Sequence, residues 1–234
     1  MTKIRAINAR AKRFRLLMGA EVDILSDGSM DYPDAVLAEL DFVVGSIHSG
    51  FTQSEATLTR RLVQAMRHPS VTLIAHPTGR LMGQREPYPI DFETVFRAAR
   101  ETGTALEINA YPKRLDLCDT AAHRANELGV MLAISTDSHS LDQLDQMTFG
   151  IGVARRAWVE PNRLLNGLSL TGLLRWIARK RQRPFDSGPG LGRGTLAQDV
   201  ARTEAKGRPE RAKRVEGRRQ WSPGLARGAP LGGA

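Results

Sequence analysis

Along positions 1–183, apolar residues gather in short runs separated by amphipathic stretches. The runs at 20–25, 42–48, 72–76, 105–109 and 131–136 are strand-sized, and nearly all contain β-branched residues, which suit a pleated, buried backbone. Between them apolar positions recur with helical spacing over about 54–66, 91–102, 120–128 and 170–179, and a basic helix is expected ahead of Leu17. Strand followed by helix, repeated, predicts an α/β protein with a mostly parallel sheet or barrel. No internal repeat is visible.

The polar residues sharpen this pattern. His48, His76, Asn109 and Asp137 each stand at or just after the end of an apolar run, and in parallel sheets and barrels the C-terminal strand ends share one rim. Three of the five histidines, His48, His76 and His139, fall there, whereas His68 and His123 read as solvated helix residues. A single strand-end histidine is more often structural than a ligand. Three of them joined by Glu21 and Asp137 make an imidazole and carboxylate set that suits Zn, Mn or Fe. Glu21 and Asp23 are two apart on one strand and so face the same side of the pleat, where a metal or an arginine would have to offset their charge. Asp137 and His139 share a face in the same way.

Composition narrows the class. Hydrophobic residues make up 41% of the 234, with a mean hydropathy of -0.32, as in ordinary globular proteins. No run approaches the ~20 apolar residues of a membrane span, and positions 1–15 are basic without an apolar segment, so a cytoplasmic protein with no membrane partner is expected. Cys118 is the only cysteine, which excludes an intramolecular disulfide and a cysteine-rich zinc knuckle. Of the net charge of +9, +5 lies in residues 184–234, a Gly/Pro/Arg-rich stretch without apolar periodicity. It is expected to be a disordered basic tail, solvated or attracted to nucleic acid.

The segments GAEVDIL, DFVVGSIHSGF, LIAHPTGR, ALEINAYPKRLDL, ISTDSHS and GVARRAW resemble successive motifs of the polymerase and histidinol phosphatase (PHP) domain. The form they follow is the one appended to bacterial family X DNA polymerases. The resemblance runs from about Ile4 to Trp176 and implies an incomplete, distorted (β/α)7 TIM-like barrel over 1–183. It implies metal-ligand roles for Glu21, His48, His76, Asp137 and His139, with divalent Mn or Zn, or Fe. The function it implies is metal-dependent phosphoester hydrolysis at DNA 3' ends, of the 3'-5' exonuclease or 3'-phosphatase type. The alternatives are a small-molecule phosphatase and a non-catalytic fragment. The family's early H-x-H strand end is absent from this sequence, so impaired activity is expected, with a partner chain or further N-terminal segment completing the barrel. Arg80, Arg114, Arg155 and Arg156 are candidate phosphate clamps, since a guanidinium fork matches phosphate oxygens, and Arg80, four residues after His76, is preferred to a solvated reading. Asn109 is a candidate to orient a ligand or substrate, with a turn-forming role equally open.

Overall fold

The computed structural model describes residues 2–183; the expected tail at 184–234 lies outside them. Five strands form one parallel sheet in sequential order: β1 (Gly19–Asp23), β2 (Phe42–Ser46), β3 (Val71–Ile74), β4 (Ala105–Asn109) and β5 (Leu132–Ser135). All five coincide with the apolar runs. Helices connect them, with α1 (Thr2–Arg10) ahead of β1, α2 (Asp34–Glu39) after it, α3 (Glu55–Arg67) after β2, α4 (Phe92–Thr102) after β3 and α5 (Asp119–Glu127) after β4. Beyond β5 come a 3-10 turn (Leu141–Gln146), α6 (Met147–Arg156) and α7 (Leu170–Gln182). The sheet order never reverses, and an isolated parallel bridge from Leu132 to Leu164 extends pairing at the β5 side. No described helix is long and apolar enough to cross a membrane.

Local chemistry accounts for the helix boundaries. Ser54 and Asp91 accept from the amides of Thr57 and Thr94 at the starts of α3 and α4, satisfying donors that the first helical turn leaves free. Gly103 ends α4 at φ 68°, a conformation open to glycine without steric cost. Two elements have no counterpart in the apolar pattern, α2 and α6. In α6, Gly150 and Gly152 dilute the helical signal, and the structure shows why glycine fits at 150. A Cβ there would lie 2.4 Å from Ile134 and 2.9 Å from Ala110, so the helix packs against the strand ends at backbone distance.

Both sheet faces are covered. The larger core includes Val22, Val43, Ile74, Leu106, Ile108 and Ile134 with Leu58, Leu62 and Met66 of α3 and Val95, Phe96 and Ala99 of α4. On the opposite face a smaller cluster joins Phe42, Val44, Leu73, Ala105 and Ala133 to Leu165, Leu173 and Trp176. Alternation puts Glu21 and Asp23 beside Val44 and Ser46, and Glu107 beside Ala133, on this second face. That face is therefore apolar toward the strand beginnings and polar toward the strand ends.

Arg61 of α3 fixes the loops at this polar end. It is 1% exposed and its guanidinium donates to the carbonyls of Ile24 (2.6 Å), Leu25 (3.0 Å) and Ser49 (3.0 Å) and to Gln53 Oε1 (2.7 Å). The helical run contains this charged residue on its buried side because the segments following β1 and β2 bring carbonyls there that need donors. Arg61→Ala is expected to strand these acceptors and lower stability by roughly 2–4 kcal/mol. Urea unfolding followed by far-UV circular dichroism measures it, and a midpoint unchanged from the parent would refute the role.

Candidate metal centre

Glu21 from β1, His48 just beyond β2 and His76 just beyond β3 meet at the C-terminal edge of the sheet, with ligand atoms within 4.8 Å of one another. Glu21 Oε1 lies 3.1 Å from His76 Nε2 and 3.3 Å from His48 Nε2. Donors about 2.0 Å from a tetrahedral zinc stand roughly 3.3 Å apart, so these separations suit an ion shared by the three. The donor chemistry suits it too, since one carboxylate and two imidazoles are a ligand set for Zn or Mn. Glu21 and His48 are partly exposed and His76 is buried, leaving the cluster open toward solvent on one side.

Asp23, at the end of β1, completes the arrangement on the other nitrogen of His48. Its Oδ1 is 2.6 Å from His48 Nδ1, so Nδ1 donates to Asp23, and Nε2, which donates to Glu21 in the metal-free cluster, is the nitrogen left to face a metal. A carboxylate behind an imidazole that faces a metal position is a recurrent way to fix the tautomer and raise ligand basicity. The expectation of a metal or arginine beside Asp23 is thus replaced by a histidine. In the metal-free cluster, hydrogen bonds from the two imidazoles hold the Glu21 carboxyl well below the usual carboxylate range. Glu21, helped by Asp23, raises His48 to about 9.

The other sequence candidates lie around this cluster in different roles. Asp137, at φ 51°, accepts from Asn109 Nδ2 at 3.2 Å and pairs with Arg114 Nε at 3.3 Å. His139 is more exposed, with Nδ1 2.8 Å from the Asp137 carbonyl, and neither residue joins the Glu21 group. Arg80 donates to the carbonyls of Arg114 (2.6 Å) and Leu115, committing its guanidinium to the turn that carries Arg114. Arg156 pairs with Asp119 at 2.7 Å. Asn109 is fully buried and contacts Glu107, Asp137 and the Tyr111 amide.

Two buried carboxylates were not picked out by sequence. Glu107, in the middle of β4, receives hydrogen bonds from the His76 amide, Asn109 Nδ2 and the Ser135 hydroxyl, while burial pushes it up to about 7. Asp116 accepts from the Thr78 amide at 3.0 Å, and burial raises it also. The signal for Glu107 was present, namely one acidic residue inside the otherwise buried strand ALEIN.

The direction of the His48 shift sets a pH dependence. With the ordinary value at 6.5 and the folded one at about 9, its pairing stabilises the metal-free fold fully below about pH 6.5 and is lost as pH rises through about 9. The Glu21 contribution is present above its ordinary 4.5 and is lost only as pH falls through its lowered value. The melting temperature of the metal-free protein is therefore expected to fall between about pH 6.5 and 9, and less so in His48→Gln. Identical pH profiles for the two proteins would contradict this assignment.

No family model matches the chain. Over 177 residues, covering 76% of this chain and 31% of the relative, it is 48% identical to DNA polymerase/3'-5' exonuclease PolX of Bacillus subtilis. It is 27% identical over 173 residues to a probable phosphatase of Thermoanaerobacter pseudethanolicus, covering 70% of this chain and 68% of that protein. With a probable phosphatase of Shewanella sp. strain MR-4 the identity is 32% over 174 residues, 70% of this chain and 66% of that one. The chain thus spans about a third of the polymerase's length and about two thirds of each phosphatase's. This homology and the Glu21–His48–His76 cluster support a metal-dependent phosphoesterase role in general. The chain is homologous to the PHP region of a family X DNA polymerase, and so resembles a family of metal-dependent hydrolases.

Proposed function

We propose that this phosphoesterase domain hydrolyses phosphate esters at DNA 3' ends, as a 3'-5' exonuclease or 3'-phosphatase. The convergence of Glu21, His48 and His76 on one point carries the reading. A bound Mn or Zn ion would polarise a phosphoryl oxygen and lower the pKa of an attacking water. The protein's part is to hold that ion with Glu21 Oε1 and the two Nε2 atoms, and to keep the His48 imidazole oriented through Asp23. Asp137 and His139 are proposed as ligands for further ions at the same edge. The sequential parallel sheet fits part of a distorted TIM-like barrel, in which strand ends from the whole sheet serve one site.

Arg114 is proposed as a contact for substrate phosphate. It is mostly buried beside Asp137, and Arg80 holds its backbone turn. Arg80 accordingly supports phosphate binding through that turn, and Asn109 supports Asp137. DNA as the substrate rests on the relative named as a DNA polymerase and exonuclease, which shares 48% identity over the aligned region. Small phosphate monoesters are the competing substrates, favoured by the relatives named as probable phosphatases.

The test uses the full chain with Mn or Zn, a 3'-phosphorylated oligonucleotide, an unmodified single strand and a small phosphomonoester. Release of phosphate or nucleotides is expected only with metal, is stopped by chelator, and falls roughly a hundredfold or more in His76→Ala. Turnover of the small ester with no action on either oligonucleotide would replace DNA with a small-molecule substrate. Turnover unaffected by chelator would overturn the metal mechanism.

A further inference from the structure

Glu107 occupies a position where an apolar residue would be expected. It lies mid-strand in β4, is 4% exposed, and is flanked by the fully buried Leu106 and Ile108. No cation is paired with it among the described residues. A buried carboxylate in such a place is costly unless hydrogen bonds replace its hydration. Each of its three partners is able to donate. Oε2 accepts from the His76 amide at 2.5 Å and from Asn109 Nδ2 at 3.2 Å, and Oε1 accepts from the Ser135 hydroxyl.

The partners lead to the candidate metal ligands. His76 is the buried imidazole of the cluster, and its backbone is at φ 28°, in the region that favours glycine. The same Asn109 amide nitrogen that donates to Glu107 also donates to Asp137 Oδ2 at 3.2 Å, and Asp137 too has positive φ, 51°. Such backbone conformations in non-glycine residues persist only where the surroundings hold them. Glu107 grips the amide of the first and, through Asn109, the side chain of the second. β4 runs between β3, which leads into His76, and β5, which leads into Asp137, so one carboxylate reaches both.

We propose that Glu107 is a positioning residue for the metal centre, setting the His76 backbone directly and the Asp137 carboxylate through Asn109. This rests on the reading of His76 and Asp137 as facing metal. Its contribution is geometric: Glu107 lies behind the ligands and its oxygens are occupied by protein donors. A glutamine can reproduce most of the arrangement, since its amide oxygen accepts from the His76 amide while its NH2 donates to Ser135 Oγ.

The experiment measures Zn²⁺ affinity of the full chain by competition with a chromophoric chelator, alongside thermal melts and amide exchange at His76. Glu107→Ala is expected to weaken Zn²⁺ binding roughly 10–100-fold and to speed exchange of the His76 amide, with a cooperative melt retained. Glu107→Gln is expected to stay within about threefold of the parent. Asn109→Ala should loosen Asp137 while leaving the His76 amide protected. Should Glu107→Ala fail to fold, Glu107→Asp, whose carboxyl is retracted by one methylene, is read in its place with the same expected direction. A folded Glu107→Ala or Glu107→Asp with parental affinity and unchanged His76 exchange overturns the proposal. So does a Glu107→Gln as weak as Glu107→Ala, which would assign the effect to charge rather than position. If the parent itself binds no Zn²⁺, the phosphoesterase reading fails, and His76 amide exchange alone decides the role of Glu107.

Discussion

The carboxylate of Glu21 stands between two imidazoles, with one oxygen 3.1 Å from His76 and 3.3 Å from His48. These three side chains come from loci separated by 27 and 28 positions in sequence, and only the parallel register of β1, β2 and β3 puts them together. Because the strands run the same way and in order, each strand end opens on the same edge. Contacts from Asp23 and Glu107 bear directly on two of the three residues.

Support comes from residues on the neighbouring strands and loops. Asp23 fixes the ring of His48, and Glu107 holds the amide of His76. Arg61 clamps the segments that follow β1 and β2, while Arg80 clamps the turn that presents Arg114. Buried polar groups of this kind are expensive in isolation and rigid when satisfied. Their concentration at the strand ends, above an apolar half of the same face, separates the two duties of the sheet. Phe42, Val44, Leu73, Ala105 and Ala133 contribute burial, and the residues further along the same strands contribute chemistry.

The positive backbone angles point the same way. His76 and Asp137 each stand two residues beyond the end of a strand, β3 and β5, and both have positive φ. Backbone strain of this sort accompanies functional positions when neighbouring hydrogen bonds over-determine it. Here those bonds converge on β4, a strand that contributes no member of the Glu21 cluster.

Much of this protein was legible in its sequence. All five strands and the helices of the α3, α4, α5 and α7 segments follow from apolar spacing, because burial of one face imposes the period directly. Strand-end placement singled out His48, His76, Asn109, Asp137 and His139, since the direction of parallel strands fixes which ends share an edge, and Glu21 was added from its position on the first strand. Spacing carried no information about partners across strands. Asp23 meets a histidine 25 positions away, Arg80 meets carbonyls 34 and 35 positions away, and Glu107 meets an amide 31 positions away. Those contacts depend on register and on the depth of each side chain, which sequence periodicity does not encode. The sequence by itself determined the alternating α/β order and supplied the candidate metal ligands. The tertiary structure alone decided which of them meet and which buried carboxylates hold them there, because hydrogen bonds act over about 3 Å and only folding sets distances on that scale.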